Sequence, residues 1–97
     1  RKDYEEAVKW WRKAAEQGYP TSQIALGIAY YNGQGVPQDY KEGGKWFRKA
    51  AEQGNADAQV MLGHAYLEGR GVRKNPKEAA KWFEKARASG VPIDLTS

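Results

Sequence analysis

The side chains that could carry chemistry in this chain are few and scattered. His64 is the sole histidine and there is no cysteine, so the residues that would build an ordinary zinc site, or act as a nucleophilic thiolate, are missing. Glu5 with Glu6, and Asp57 with Glu68, pair carboxylates that general acid–base work would need. Such work also needs desolvation to move a pKa, and these pairs lie on surface helices where none is evident. No Ser or Thr precedes a Lys by three positions, which removes the SxxK nucleophile pattern, and no local signature supports a Ser/His/Asp arrangement. The loops GQGVP and GRGVR allow close backbone approach, with Arg70 and Arg73 adding positive charge. They lack both the Walker spacing and a strand-to-helix context, so a phosphate cradle is not expected. No enzyme activity, metal or cofactor follows from these residues.

Charge offers a second kind of chemistry. Sixteen Lys and Arg against twelve Asp and Glu leave a net charge of +4. Lys41, Lys45 and Lys49, and again Lys77, Lys81 and Lys85, run at i, i+4 along one helix face, an arrangement that attracts nucleic acid or an anionic surface. Glu5, Glu16, Glu42, Glu52, Glu78 and Glu84 interleave with these cations, as on a solvated helix face. Nucleic-acid binding is therefore the alternative and not the expectation.

The elements that must position these residues are set by a repeat. Trp10, Trp46 and Trp82 are 36 residues apart, and KWWRKAAEQG returns as KWFRKAAEQG. Residues 19–54 align with residues 55–90 without a gap, and residues 3–18 match the second half of that unit. A period of this length marks units that bury their apolar faces by stacking on one another. The composition fits a single small domain: 40% hydrophobic, 29% charged, 12% aromatic, with a mean hydropathy of −0.89. No apolar run approaches the roughly 20 residues that span a bilayer. The first residue is Arg1 rather than Met, which reads as a piece of a longer protein.

Each unit divides into two helices. Asp3 with Glu6, Asp39 with Glu42 and Asn75 with Glu78 have capping-box spacing, and Pro76 suits a first helical position. Tyr40, Gly43, Gly44, Phe47, Ala50 and Ala51 form one buried stripe that Gly54 ends. Helices are expected at about 3–17, 39–53 and 75–89, with ends uncertain by about two to four residues. Shorter helices open at Pro20 and Ala56 and close at Gly33 and Gly69. The glycines of the loops supply tight or left-handed turns, and Val36 and Val72 plug the loops onto the hairpins.

The segments ALGIAYYNGQGVPQDYKEGGKWFRKAAEQGNADAQ and MLGHAYLEGRGVRKNPKEAAKWFEKA resemble the Sel1-like repeat, a relative of the tetratricopeptide repeat with a longer loop between its helices. The likeness runs from residue 3 to about residue 92, with the LG pair, the tyrosine, GxGV, the Asp or Asn cap, the tryptophan and the Ala pair in register. The VPIDLTS tail, residues 91–97, does not continue it. The resemblance implies an all-α, right-handed α-solenoid of stacked antiparallel helix pairs, five helices in about two and a half units. It also implies a non-catalytic adaptor or scaffold binding a protein or peptide ligand. Bacterial members often act at the cell envelope or in host interaction, and eukaryotic ones in membrane-associated complexes.

Within that frame, matching letters report packing. Gly27 and Gly63 mark the closest helix approach, with Leu26, Leu62, Tyr30 and Tyr66 beside them, while Trp46, Phe47, Trp82 and Phe83 bridge layers. Gly43 and Gly44 stand where the next copy has Ala79 and Ala80, so alanine at Gly43 is expected to stabilise its helix by about 1 kcal/mol. Mismatched letters are left for other work. Thr21, Ile24, Ala25, Ile28, Tyr31 and Asn32 pair with Asp57, Val60, Met61, His64, Leu67 and Glu68, and all six pairs differ. Their spacing puts them on one side of each short helix, opposite Leu26, Ala29 and Tyr30. The resemblance makes that side the concave wall, and its apolar content marks it as the candidate partner-binding surface. The Trp10 and Trp11 side of the first helix is expected to be open to self-association.

Overall fold

The computed structural model describes residues 2–90. Five helices carry the regular structure among them: α1 (Lys2–Glu16), α2 (Pro20–Asn32), α3 (Tyr40–Glu52), α4 (Ala56–Glu68) and α5 (Pro76–Ala88). The VPIDLTS tail lies outside the described residues. Capping chemistry fixes the starts. The Asp39 carboxylate accepts from the Glu42 N–H at 3.0 Å, and the Asn75 side chain from the Glu78 N–H at 3.1 Å. Asn55 does the same for α4, accepting from the Ala58 N–H at 2.9 Å.

The expected capping boxes are completed in a different way. The backbone N–H of Asp39 donates to the Tyr30 carbonyl at 2.8 Å, and that of Asn75 to the Tyr66 carbonyl at 2.9 Å. The loop brings each cap back beside the preceding short helix, which supplies the acceptor. Glu42 and Glu78 are thereby left to pair with Lys45 and Lys81 at 3.8 and 3.9 Å. Asp3 departs from its expected role, because α1 already includes Lys2 and Asp3 falls inside its first turn. A carboxylate there still complements the helix dipole. Gly33 and Gly69 end α2 and α4 in the left-handed conformation, at φ of 67° and 70°.

The helices stack in one direction. α2 packs most extensively on α3 and α4 on α5, while α1 on α2 and α3 on α4 join the layers. The result is a short elongated rod, 39 × 23 × 20 Å. Two core clusters repeat along it. The first holds Val8, Ala15, Leu26, Ala29 and Trp46, and the second holds Ala50, Ala51, Ala58, Leu62 and Trp82. Each buried tryptophan thus seats on the preceding long helix as well as on its own hairpin, and Leu26 and Leu62 are fully buried. Trp10 has no such seat and is 63% exposed, whereas its neighbour Trp11 packs against the first cluster. On the side expected to be open, Trp10 is the exposed ring and Trp11 is half-buried.

A polar ladder runs through the stack that the sequence reading did not isolate. Gln23 is buried, donates to the Ala15 carbonyl at 3.1 Å and accepts from Gln53 at 2.9 Å. Gln59, one repeat on, donates to the Ala51 carbonyl at 3.2 Å. Its Oε1, however, is buried with no hydrogen-bond partner among the described residues. The position that should supply one is Ser89, whose short side chain turns back to the Lys85 carbonyl.

The reading of Gly43 needs correcting. A Cβ built there would lie 2.5 Å from the Tyr31 ring and 2.7 Å from the Gly27 carbonyl oxygen, whereas one at Gly44 meets nothing within 4 Å. α2 and α3 touch backbone to backbone at this point, so the helix propensity of alanine is outweighed by overlap at Gly43 and applies only at Gly44. In the second hairpin, Ala79 takes the place of Gly43 and Leu67 the place of Tyr31. The larger ring and the absent methyl go together.

Candidate interaction groove

α2 and α4, expected to be the shorter helices, are as long as α3 and α5 at 13 residues each, and they carry the mismatched residues on the side turned away from the core. Of the twelve, none is fully buried: Thr21, Asn32, Asp57, His64, Leu67 and Glu68 are exposed, and Ile24, Ala25, Ile28, Tyr31, Val60 and Met61 are half-buried. This follows from the helical period, since Leu26 and Ala29 on α2, and Leu62 and Ala65 on α4, take the opposite side into the core. Ile24 also packs against the second core cluster, so part of its surface belongs to the stack.

Between α2 and α4 lies a cavity of about 410 Å³. Ile28, Tyr31, Asn32, Met61, His64 and Glu68 line it, together with Phe47, Ala65 and Arg70. The structure thus brings half of the candidate set into one depression and leaves Thr21, Ile24, Ala25, Asp57, Val60 and Leu67 outside its lining. The sequence pattern accounts for Phe47 by packing and for Arg70 as a loop cation, and the structure adds both to the lining. Phe47 is reached because its ring passes under Gly27, where no side chain intervenes. Arg70 is reached because the second loop folds back over the end of α2.

Tyr31 is the hinge between the layers. Its hydroxyl donates to the Arg70 carbonyl at 2.7 Å, across 39 residues of sequence. Its ring meets Tyr40 edge-on at 4.9 Å and Phe47 at 5.0 Å. Burial pushes the phenol up to about 12, with Arg70 pulling the other way and Glu68 and Tyr40 adding to the rise. The Arg70 guanidinium lies 5.5 Å from the Tyr40 ring centre, and its Nε is 3.7 Å from Glu68. His64 sets its ring edge-on to Phe83 at 5.1 Å. Among the described residues no group of three or more His, Cys, Asp or Glu could hold a metal ion. The site offers an apolar floor and a polar lip.

The lysine rows lie on α3 and α5, and part of their charge is paired. Lys45 and Lys81 pair with glutamates, and Lys49 and Lys85 lie over the Trp46 and Trp82 rings at 5.8 and 4.5 Å. Among the described residues, no helix is long and apolar enough to cross a membrane.

The Sel1 repeat family model matches residues 1–19, 20–55 and 56–91, which leaves only the last residues uncovered. The chain belongs to the Sel1 repeat family. Sel1 repeats are generally protein-interaction modules. Solved structures agree on the fold. A protective antigen present in uropathogenic Escherichia coli strains, which displays an SLR fold, is 45% identical with a TM-score of 0.89. That similarity covers 91% of this chain and 19% of the antigen. A Sel1 repeat protein from Oxalobacter formigenes is 43% identical over 86% of this chain and 63% of its own, with a TM-score of 0.84. Helicobacter pylori cysteine rich protein B is 33% identical over 87% of this chain and 63% of its own, with a TM-score of 0.83. The chain thus spans less than two thirds of each of these proteins. No curated protein matches it. The Sel1 architecture here is the expected right-handed α-solenoid, with five helices among the described residues.

Proposed function

We propose that this Sel1 module is a non-catalytic adaptor that docks a segment of a protein partner against the wall formed by α2 and α4. The observation that carries this reading is the cavity of about 410 Å³, where Ile28, Met61 and Phe47 form an apolar floor beside the polar groups of Asn32, His64, Glu68 and Arg70. That mixture suits a site which takes up an apolar side chain and orients it by a few polar contacts. The floor is preformed, because Phe47 is held under α2 and Tyr31 ties the end of α2 to the second loop. Little ordering entropy is then lost on the module's side when a ligand enters. The six mismatched pairs vary the wall from one repeat to the next while the core stays constant, which gives each layer its own contact chemistry.

The test compares partner capture by the parent protein with capture by a variant carrying Ile28→Glu, Met61→Glu and His64→Glu. Helicity is first shown to be unchanged by circular dichroism. Loss of a defined partner is the expected result. Retention of the same partner with unchanged affinity moves the interface off α2 and α4 and overturns the proposal.

A further inference from the structure

Charge is distributed unevenly between the two kinds of helix. The first helices of the hairpins, α2 and α4, contain no Lys or Arg, and their only charged residues are Asp57 and Glu68. All sixteen Lys and Arg of a chain with net charge +4 therefore sit on α1, α3 and α5, in the loops or at the N-terminus. The wall between α2 and α4 is the acidic face of a basic protein. Its cavity has one cation at the lip, Arg70, and that charge is offset by Glu68 at 3.7 Å and by the Tyr40 ring.

We infer that the occupant of this groove is a basic, extended peptide segment, with an apolar side chain seated over Met61 and Ile28 and a Lys or Arg at each end directed to Glu68 and Asp57. The inference rests on the docking reading above and adds the chemical class of the ligand. Asp57 and Glu68 lie eleven positions apart on one face of α4, about 16 Å along the helix at 1.5 Å per residue. An extended chain covers that distance in about five residues at 3.3 Å each. The matching segment thus has two cations about five positions apart and an apolar residue between them. Glu68 has capacity for the incoming cation, because Arg70 reaches it through one Nε to Oε1 contact and a carboxylate accepts up to about four hydrogen bonds. An acidic segment would face Asp57 and Glu68 with like charge and would have to draw Arg70 away from both of its partners.

A displayed library of random seven-residue peptides, selected against the 97-residue chain, tests this. Selected sequences are then synthesised, labelled and titrated by fluorescence anisotropy. The expected peptides carry Lys or Arg on both sides of an apolar residue. Their affinity falls about threefold with each of Asp57→Asn and Glu68→Gln, and falls further as salt is raised. It is abolished by Met61→Glu together with Ile28→Glu. Peptides that are acidic or uncharged, lost on the Met61 and Ile28 changes but indifferent to Asp57→Asn and Glu68→Gln, overturn the charge inference and leave the groove standing. Peptides indifferent to all four changes, or a library that yields no binder, overturn both.

Discussion

Replacing Gly43 and Gly44 by alanine, one at a time, separates two forces that the sequence alone cannot tell apart. Either change relieves the entropic penalty of glycine inside a helix, a gain of about 1 kcal/mol. At Gly44 nothing lies within 4 Å of the new methyl, so the full gain is expected. At Gly43 the methyl would enter the Gly27 carbonyl oxygen at 2.7 Å and the Tyr31 ring at 2.5 Å. The carbonyl is backbone and yields only if α2 and α3 move apart, an overpacking cost of about 1–3 kcal/mol. Gly43→Ala is thus expected to lose about 1 kcal/mol net, and the two variants to differ by about 2 kcal/mol. For a domain of this size that difference separates their melting temperatures by roughly 8–16 °C. Thermal unfolding followed by circular dichroism at 222 nm, the usual helix signal, reads it directly. Tyr31→Leu in the Gly43→Ala background reproduces the Leu67 and Ala79 pair of the second hairpin. It should recover part of the loss, although Tyr31→Leu alone removes the hydrogen bond to Arg70. A Gly43→Ala variant as stable as Gly44→Ala, or a double variant no better than the sum of its parts, refutes the packing argument.

Other expectations follow from single contacts. Ser89→Gln restores the side chain that Gln53 provides one repeat earlier, satisfies the buried Oε1 of Gln59, and raises stability by about 1 kcal/mol in a urea titration. Tyr31 titrates above its ordinary value, so its contribution is fully present below pH 10 and is lost as pH rises through about 12. Alkaline titration of stability should therefore steepen across that window, and Tyr31→Phe should flatten it.

The repeat, its helices and the side of α2 and α4 turned away from the core are legible in the sequence for different reasons. Helix boundaries could be read because Asp39, Asn75, Pro20, Pro76, Gly33 and Gly69 act locally, through caps and turns that depend on a few neighbouring residues. The groove-facing side could be read because a helical period separates Leu26 and Ala29 from Ile28 and Tyr31. The role of Gly43 is not legible in the sequence, because its neighbour is the backbone of another helix and helix propensity carries no information about what approaches from outside. The glutamine ladder was overlooked because Gln23 and Gln59 are polar letters on a buried face, and only their carbonyl partners on the preceding layer explain them. Phe47 joined the groove because the same ring that fills the space beneath Gly27 also reaches the cavity floor.

The most direct test of partner docking on the concave wall is to map a bound peptide by amide chemical shifts of the isotope-labelled chain. Docking predicts that the largest changes fall on residues 21–32 and 57–70, with α3 and α5 affected only where Phe47 and Phe83 lie beneath them. Changes concentrated instead along Lys41, Lys45, Lys49, Lys77, Lys81 and Lys85 would contradict it.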